Sequence, residues 1–212
     1  MKGAFLSSIP VPVGRGVVRR ASRADTDELA ALLAGAFLDD PLTRWITPDT
    51  RRRERVLPGF FRVFLDLSFA YDGVLTDEDR DAVLLFLPPG AWEETEARGD
   101  ELHQRFAAVL GDDAGALATI GALQARHHPA GRPHYYVSFG AVRPSAQRGG
   151  LMTALLEHLV ARADAAACGT YAEASSPGGE AACRRLGFGR FGGDIALPDG
   201  GPVLRPMWRD AR

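Results

Sequence analysis

Cysteine is scarce in this sequence, and its scarcity limits how the fold can be stabilised. Only Cys168 and Cys183 occur among 212 residues, too few for a disulfide framework. No cysteines and histidines have the spacing of zinc ligands, so we predict no metal site. Reduced thiols suit a reducing compartment, and we therefore expect a cytoplasmic protein.

Long apolar runs are also missing. The start of the chain, Met1–Gly14, is interrupted by two serines and by Pro10 and Pro12, whereas a signal peptide would have a continuous apolar region. We therefore predict an extended N-terminal arm over residues 1–15. No stretch approaches the length of a membrane-spanning helix, and we expect no membrane partner.

The chain has no large excess of charge of either sign. Its formal net charge is −2, which provides no electrostatic field that favours nucleic acid. Apolar residues make up 46% and charged residues 25% of the chain, as in ordinary globular domains. The length of 212 residues suits one domain, which we place at 16–212.

Patterns typical of strands and helices alternate along this domain. A helical insertion over 93–133, containing two helical segments, precedes the segment that carries most of the motifs. That segment predicts a strand, helix and strand in a crossover connection. The predicted strands are 16–21, 73–76, 82–87, 135–142, 171–175, 191–197 and 203–208. Outside the insertion, the first predicted helix ends near 39–41 and the second begins at 50. Two later helices cover 151–166 and 180–186.

A glycine-bearing junction, Gln147–Leu151, connects a predicted strand to a predicted helix. Unpaired N–H groups and the positive end of the helix dipole favour an anion there. Gly149 and Gly150 let a ligand approach the backbone, and Arg148 adds a positive charge. A pyrophosphate fits this chemistry; a plain tight turn is the alternative. Walker-type and dinucleotide glycine motifs are absent.

This junction resembles the coenzyme A loop of the GNAT N-acetyltransferase superfamily. Gln147-x-x-Gly150 follows Val142-x-Pro144, as in that family's pattern, although Met152 replaces a small residue. The segments 171–177 and 185–188 resemble the family's next strand and final helix. Beyond the superfamily, segments along nearly the whole chain after residue 16 resemble puromycin N-acetyltransferase-like proteins, including the pattern at 36–41.

The resemblance implies a mixed α/β (α+β) fold: a mostly antiparallel sheet with a splayed parallel strand pair, flanked by helices. It implies acetyl-coenzyme A as cosubstrate and direct attack by a primary amine of a small molecule. The implied coenzyme-binding residues are Gly140, Ala141, Val142, Gln147, Arg148, Gly149, Gly150, Leu151, Met152 and Thr153.

The acceptor site is implied by the same resemblance. Asp39 and Asp40 lie in the loop that relatives use as a wall, and their charge suits a cationic amine; solvation of a helix end is the alternative. Tyr136 lies on the strand that precedes the coenzyme loop. The helical insertion would complete this site.

Two residues are candidates for proton transfer. Strand alternation places Glu173 on one face with Tyr171 and Ser175, which suits a base; a strand-end salt bridge is the alternative. Cys183 takes the position of the family's tyrosine acid, and Gly179 that of a usual asparagine. A thiol can donate a proton, or it can simply pack in the core.

Other polar clusters we assign to structure rather than chemistry. The arginines at 51, 52, 53 and 55 suit a solvated helix face, and His127 and His128 suit a loop.

Two other functions stay open: a coenzyme-binding sensor or scaffold with little catalysis, and an acetylase of protein lysines or chain termini. The chain would act as a monomer or homodimer.

Overall fold

The computed structural model describes residues 16–212, so the predicted N-terminal arm lies outside the described residues. The strands are β1 (Val18–Arg20), β2 (Val74–Asp77), β3 (Ala82–Leu87), β4 (His134–Val142), β5 (Gly169–Ala174), β6 (Gly189–Arg190), β7 (Ile195–Ala196) and β8 (Val203–Arg209). The helices are α1 (Thr26–Ala36), α2 (Pro41–Ile46), α3 (Thr50–Phe69), α4 (Ala91–Ala97), α5 (Gly99–Leu110), α6 (Ala114–His127), α7 (Leu151–Ala165) and α8 (Pro177–Arg185).

The strands form one sheet in the order β1-β2-β3-β4-β5-β8-β6, with β7 paired to β8. Every pairing is antiparallel except β4 with β5, which is parallel. A parallel pair needs a crossover connection, and α7 provides it. The predicted fold class and crossover are therefore confirmed.

Strand β3 shows why the sheet is covered on both faces. All six of its residues are apolar and buried. Val83 and Leu85 pack in the core that contains α1 and α3, whereas Leu84 and Phe86 pack in the core that contains α7. Because successive side chains of a strand point to opposite faces, a continuous apolar run predicts two helical layers.

Helix α3 corrects the expectation that its N-terminal run of arginines forms a solvated face. Its periodicity turns Arg53 inward, to 2% exposure, while Arg51 and Arg55 remain exposed. The buried guanidinium donates hydrogen bonds to the carbonyl oxygens of Leu38 (2.6 Å) and Thr47 (2.7 Å). The arginine run is therefore only partly a solvated face, since Arg53 fastens the segments on either side of α2 to α3.

The helical insertion has three helices, α4, α5 and α6, instead of the two predicted segments. Contrary to expectation, the segment Gly99–His127 is long enough to match a membrane span and contains an 18-residue stretch with a mean hydropathy of 1.4. In the structure a turn at Gly111–Asp113 divides it into helices of 12 and 14 residues. Each is shorter than the roughly 20 residues that cross a bilayer.

Candidate functional site

Strands β4 and β5 separate partway along their length. They pair from His134 opposite Gly169 to Val137 opposite Ala172, after which β4 continues on β3 and β5 continues on β8. The register between β3 and β4 shifts at this point, so that Ser138 is an extra residue between Val137 and Phe139. A bulge bends its strand, and the divergence leaves backbone groups of both strands open to a ligand.

The predicted junction of strand, glycine loop and helix follows β4. Arg148 and Gly150 have left-handed backbone conformations, with φ of 67° and 84°, which turn the chain sharply into α7. Gly150 is the N-cap and has no side chain to accept from the first N–H groups of the helix. Since those groups have no partner within the helix, they are available to an anion together with the helix dipole.

Met152 packs across Gly140 of β4. A Cβ atom added to Gly140 would lie 3.0 Å from Met152 Cε and 3.1 Å from its Sδ. The absence of a side chain at Gly140 thus makes room for the thioether beside the separated strands. Met152 lines the same cavity as the glycine loop, and its unbranched side chain can change rotamer when a ligand enters.

A cavity of about 1150 Å³ connects this loop to the helical insertion. Its walls come from the glycine loop, the separated strands, α3, α8 and the three inserted helices. Of the residues predicted to bind coenzyme, these line it: Gly140, Ala141, Val142, Gln147, Arg148, Gly150, Leu151, Met152 and Thr153. Gly149 lies in the same turn without lining the cavity.

Glu173 projects into this cavity where β5 leaves β4. Tyr171 Oη donates to Glu173 Oε1 at 2.9 Å, and Tyr136 Oη and Gln124 Nε2 donate to Oε2 at 3.3 and 2.5 Å. Burial raises the pKa of Glu173, and these three hydrogen bonds oppose the rise. The result is an oriented carboxylate with an elevated pKa, as a base requires.

The two tyrosines remain protonated. Burial and the neighbouring Glu173 carboxylate raise the pKa of both Tyr136 and Tyr171 well above the ordinary tyrosine value. Both hydroxyls therefore act as hydrogen-bond donors near neutral pH. They orient Glu173 without competing for the proton that it would accept.

The two aspartates predicted to meet the amine are separated by the structure. Asp40 lines the cavity, accepts from Leu42 N at the start of α2, and accepts from Ser175 Oγ at 3.3 Å. Asp39 lies outside the lining; its side chain is 86% exposed and is 3.8 Å from Arg53. Only Asp40 is placed to meet a ligand in this cavity, because the turn before α2 directs the two side chains differently.

Cys183 lies on α8, and its side chain packs with Val160, Ala174 and Phe188. Burial raises the pKa of the thiol to about 11. Gly179 on the same helix has space for a side chain, since an added Cβ would come no closer than 3.4 Å to any atom. The structure thus places Cys183 at the cavity wall in an apolar setting.

Several residues of the site were missed from the sequence. Gln124 continues the apolar stripe of α6, Leu117 and Ile120, at helical spacing, and a polar residue in such a stripe is a usable signal. Trp92 lines the cavity and stacks on His128, with ring centroids 4.0 Å apart. No local pattern indicated Trp92, because it depends on how the inserted helices pack.

Comparisons with known proteins agree with this fold. The acetyltransferase (GNAT) family model matches residues 71–188. One crystal structure, of histone acetyltransferase HPA2 and related acetyltransferase from Corynebacterium glutamicum, has a sequence that is 26% identical to this chain. The two structures superpose with a TM-score of 0.72, over 94% of this chain and 98% of that one.

More distant structures share the fold. An agmatine N-acetyltransferase is 17% identical, with a TM-score of 0.64, over 93% of this chain and 100% of that one. Arylalkylamine N-acetyltransferase 2 from Aedes aegypti is 13% identical, with a TM-score of 0.68, over 94% and 100% of the two chains. At these sequence identities the likeness shows a shared fold and nothing more.

Proposed function

The chain belongs to the GNAT acetyltransferase family, and we propose that it transfers an acetyl group from acetyl-coenzyme A to a primary amine of a small molecule. The observation that carries this proposal is the position of Glu173. Its carboxylate is oriented by three donors at the separation of β4 and β5, in the cavity that also contains the glycine turn.

The donor site fits the coenzyme on structural grounds. The turn at Arg148 and Gly150 and the first N–H groups of α7 would hold a pyrophosphate. The backbone groups of β4 beyond Val137 would hold the extended arm, with Met152 beside them. When bound, the coenzyme supplies a thioester whose acetyl carbon an amine can attack.

Glu173 would act on the amine. A primary amine is mostly protonated at neutral pH and must lose a proton before or during attack. The raised pKa of Glu173 makes it a better proton acceptor than an ordinary glutamate. Glu173 therefore takes the proton, while Asp40 adds negative charge to the same cavity.

A side-chain acid for the departing thiolate is harder to assign. Cys183 has a pKa of about 11 and packs among apolar side chains. We propose that solvent protonates the thiolate and that Cys183 has a packing role. Catalysis then needs no tyrosine at this position.

The acceptor is a small molecule in this proposal. All three inserted helices contribute to the wall of the cavity, whereas a protein lysine needs an open groove. The related agmatine and arylalkylamine N-acetyltransferases carry names of small amines, and the resemblance to puromycin N-acetyltransferase-like proteins favours a similar acceptor class.

The test combines a binding titration with a turnover assay. The protein is titrated with acetyl-coenzyme A by calorimetry and then incubated with amines while free thiol is measured. We expect binding and amine-dependent thiol release. Binding with no turnover on any small amine or lysine peptide would replace the proposal with a sensor, and turnover on lysine peptides alone would replace it with a protein acetylase.

A further inference from the structure

We infer, building on the proposed function, that the acceptor is a primary amine attached to a bulky aromatic or other apolar group and lacking a carboxylate. Three features of the cavity support this inference. They are an aromatic wall in the cavity that contains the base, an excess of acidic over lysine and arginine side chains, and a glycine that leaves space on the wall of α6.

The aromatic wall is formed by α3, α5 and β4. The Phe64 ring lies 4.9 Å from Phe106 and 4.7 Å from Phe139, measured between centroids, and all three residues line the cavity. Phe64 and Phe139 are only half-buried, so part of each ring is open to an occupant. Aromatic walls of this kind favour flat apolar groups through burial and edge-to-face contacts.

A second aromatic pair lies beside the base in the same cavity. Trp92 of α4 meets Tyr136 edge to face, with centroids 5.1 Å apart. Tyr136 in turn donates to Glu173. Because the aromatic wall and Glu173 line one cavity, an apolar group on the wall lies in the same cavity as the carboxylate that would receive the proton of its amine.

The charges of the cavity disfavour an anionic acceptor. Asp40, Glu96 and Glu173 line it. The arginines among its lining residues, Arg148 and Arg185, belong to the coenzyme loop and to the end of α8. Among the described residues that line the aromatic side, His103 is the one basic side chain, and no lysine or arginine is there. A carboxylate on the acceptor would therefore lose water without gaining a lysine or arginine partner, which is costly. An amine alone has an acidic partner.

Gly121 leaves space on the wall of α6. It lines the cavity, and a Cβ atom added to it would meet nothing within 4 Å. Gly115 on the same helix also has free space around it, but it lies outside the cavity lining and is exposed to solvent. The same substitution can therefore be made at Gly121, inside the proposed site, and at Gly115, outside it.

The substrate test compares amines that differ in one property. We measure kcat/KM for 2-(1-naphthyl)ethylamine, phenethylamine, ethylamine, agmatine and phenylalanine with the wild-type protein. Naphthylethylamine should exceed ethylamine and agmatine by about a hundredfold, and phenylalanine should be at least about tenfold poorer than phenethylamine, its counterpart without the carboxylate. A preference for ethylamine, agmatine or phenylalanine would overturn the inference.

Filling the space at Gly121 tests where the bulky group of the acceptor lies. Gly121→Leu should raise KM for naphthylethylamine by about tenfold or more and leave ethylamine nearly unchanged, whereas Gly115→Leu should change neither. Both replacements suit a helix, and thermal unfolding verifies the fold. Equal effects of the two variants would refute this location. No turnover on any amine, with or without coenzyme binding, would instead refute the proposed function.

Discussion

Gln124 Nε2 donates a hydrogen bond to Glu173 Oε2 at 2.5 Å. This contact joins helix α6 of the insertion to the end of β5. The helix that bounds the acceptor cavity therefore also orients the candidate base. An acceptor that displaced α6 would change both its own binding and the proton affinity of Glu173.

Glu173→Gln tests the base. We expect kcat/KM to fall by about a hundredfold or more, because glutamine retains the shape but accepts no proton. The free energy of unfolding should not fall, since a buried carboxylate is removed and the Tyr171 hydrogen bond can persist. Thiol release and urea unfolding provide the measurements. Glu101→Gln, at a surface pair with Arg98, is the control; a similar loss in both variants would contradict the assignment.

Activity and stability should respond to pH in opposite directions through Glu173. Its pKa is raised in the folded state, so its favourable contribution to stability is present below the unfolded pKa of about 4.3 and is lost as pH rises through the folded value. A base must be deprotonated, so activity is lost as pH falls through the same range. Unfolding curves at several pH values should show this slope in the wild type and a smaller one in Glu173→Gln.

Gln124→Leu should raise the pKa of Glu173 further, because it removes a donor that lowers it. The acidic limb of the kcat profile should move to higher pH, while the dissociation constant of acetyl-coenzyme A stays unchanged. Gln104→Leu, on the exposed face of α5, is the matched control. An unmoved acidic limb would show that Gln124 does not position the base.

Cys183→Ala should preserve turnover within about threefold and lower stability by about 1 kcal/mol, since the thiol packs in an apolar cluster. With a pKa of about 11, the thiol stays protonated across the neutral range. The pH profile of kcat and a thermal unfolding curve distinguish a packing role of Cys183 from a role as an acid. A tenfold loss of kcat with unchanged stability would make Cys183 an acid after all.

Gly150→Ala should weaken acetyl-coenzyme A binding by about tenfold and destabilise the fold by about 1 kcal/mol, because φ is 84° at this position and alanine is strained there. Gly115→Ala, in an open helical position, should leave binding unchanged. Calorimetric titration of both variants compares them. Unaltered affinity in Gly150→Ala would show that this turn does not cradle the coenzyme.

Several features of the fold and candidate site could be predicted because they depend on neighbouring residues. The unbroken apolar run of β3 requires two covered faces whatever lies on them. Alternation along β5 puts Tyr171 and Glu173 on one face, where they form a hydrogen bond. The run from Gln147 to Leu151 needs only a glycine turn and a helix start to present N–H groups.

Other features depended on packing between distant segments. Arg53 looks like its exposed neighbours in sequence, yet carbonyl groups around α2 surround it. Asp39 and Asp40 are adjacent and chemically identical, and only the turn before α2 determines which one faces the cavity.

The sequence by itself thus determined the secondary structure around the glycine turn and the chemistry available there, since both arise within a few residues. The tertiary structure alone decided which residues of other elements surround Glu173. Gln124 lies 49 residues away along the chain, and the free energy that brings it to Glu173 comes from burying helices and strands against each other, which no local pattern records.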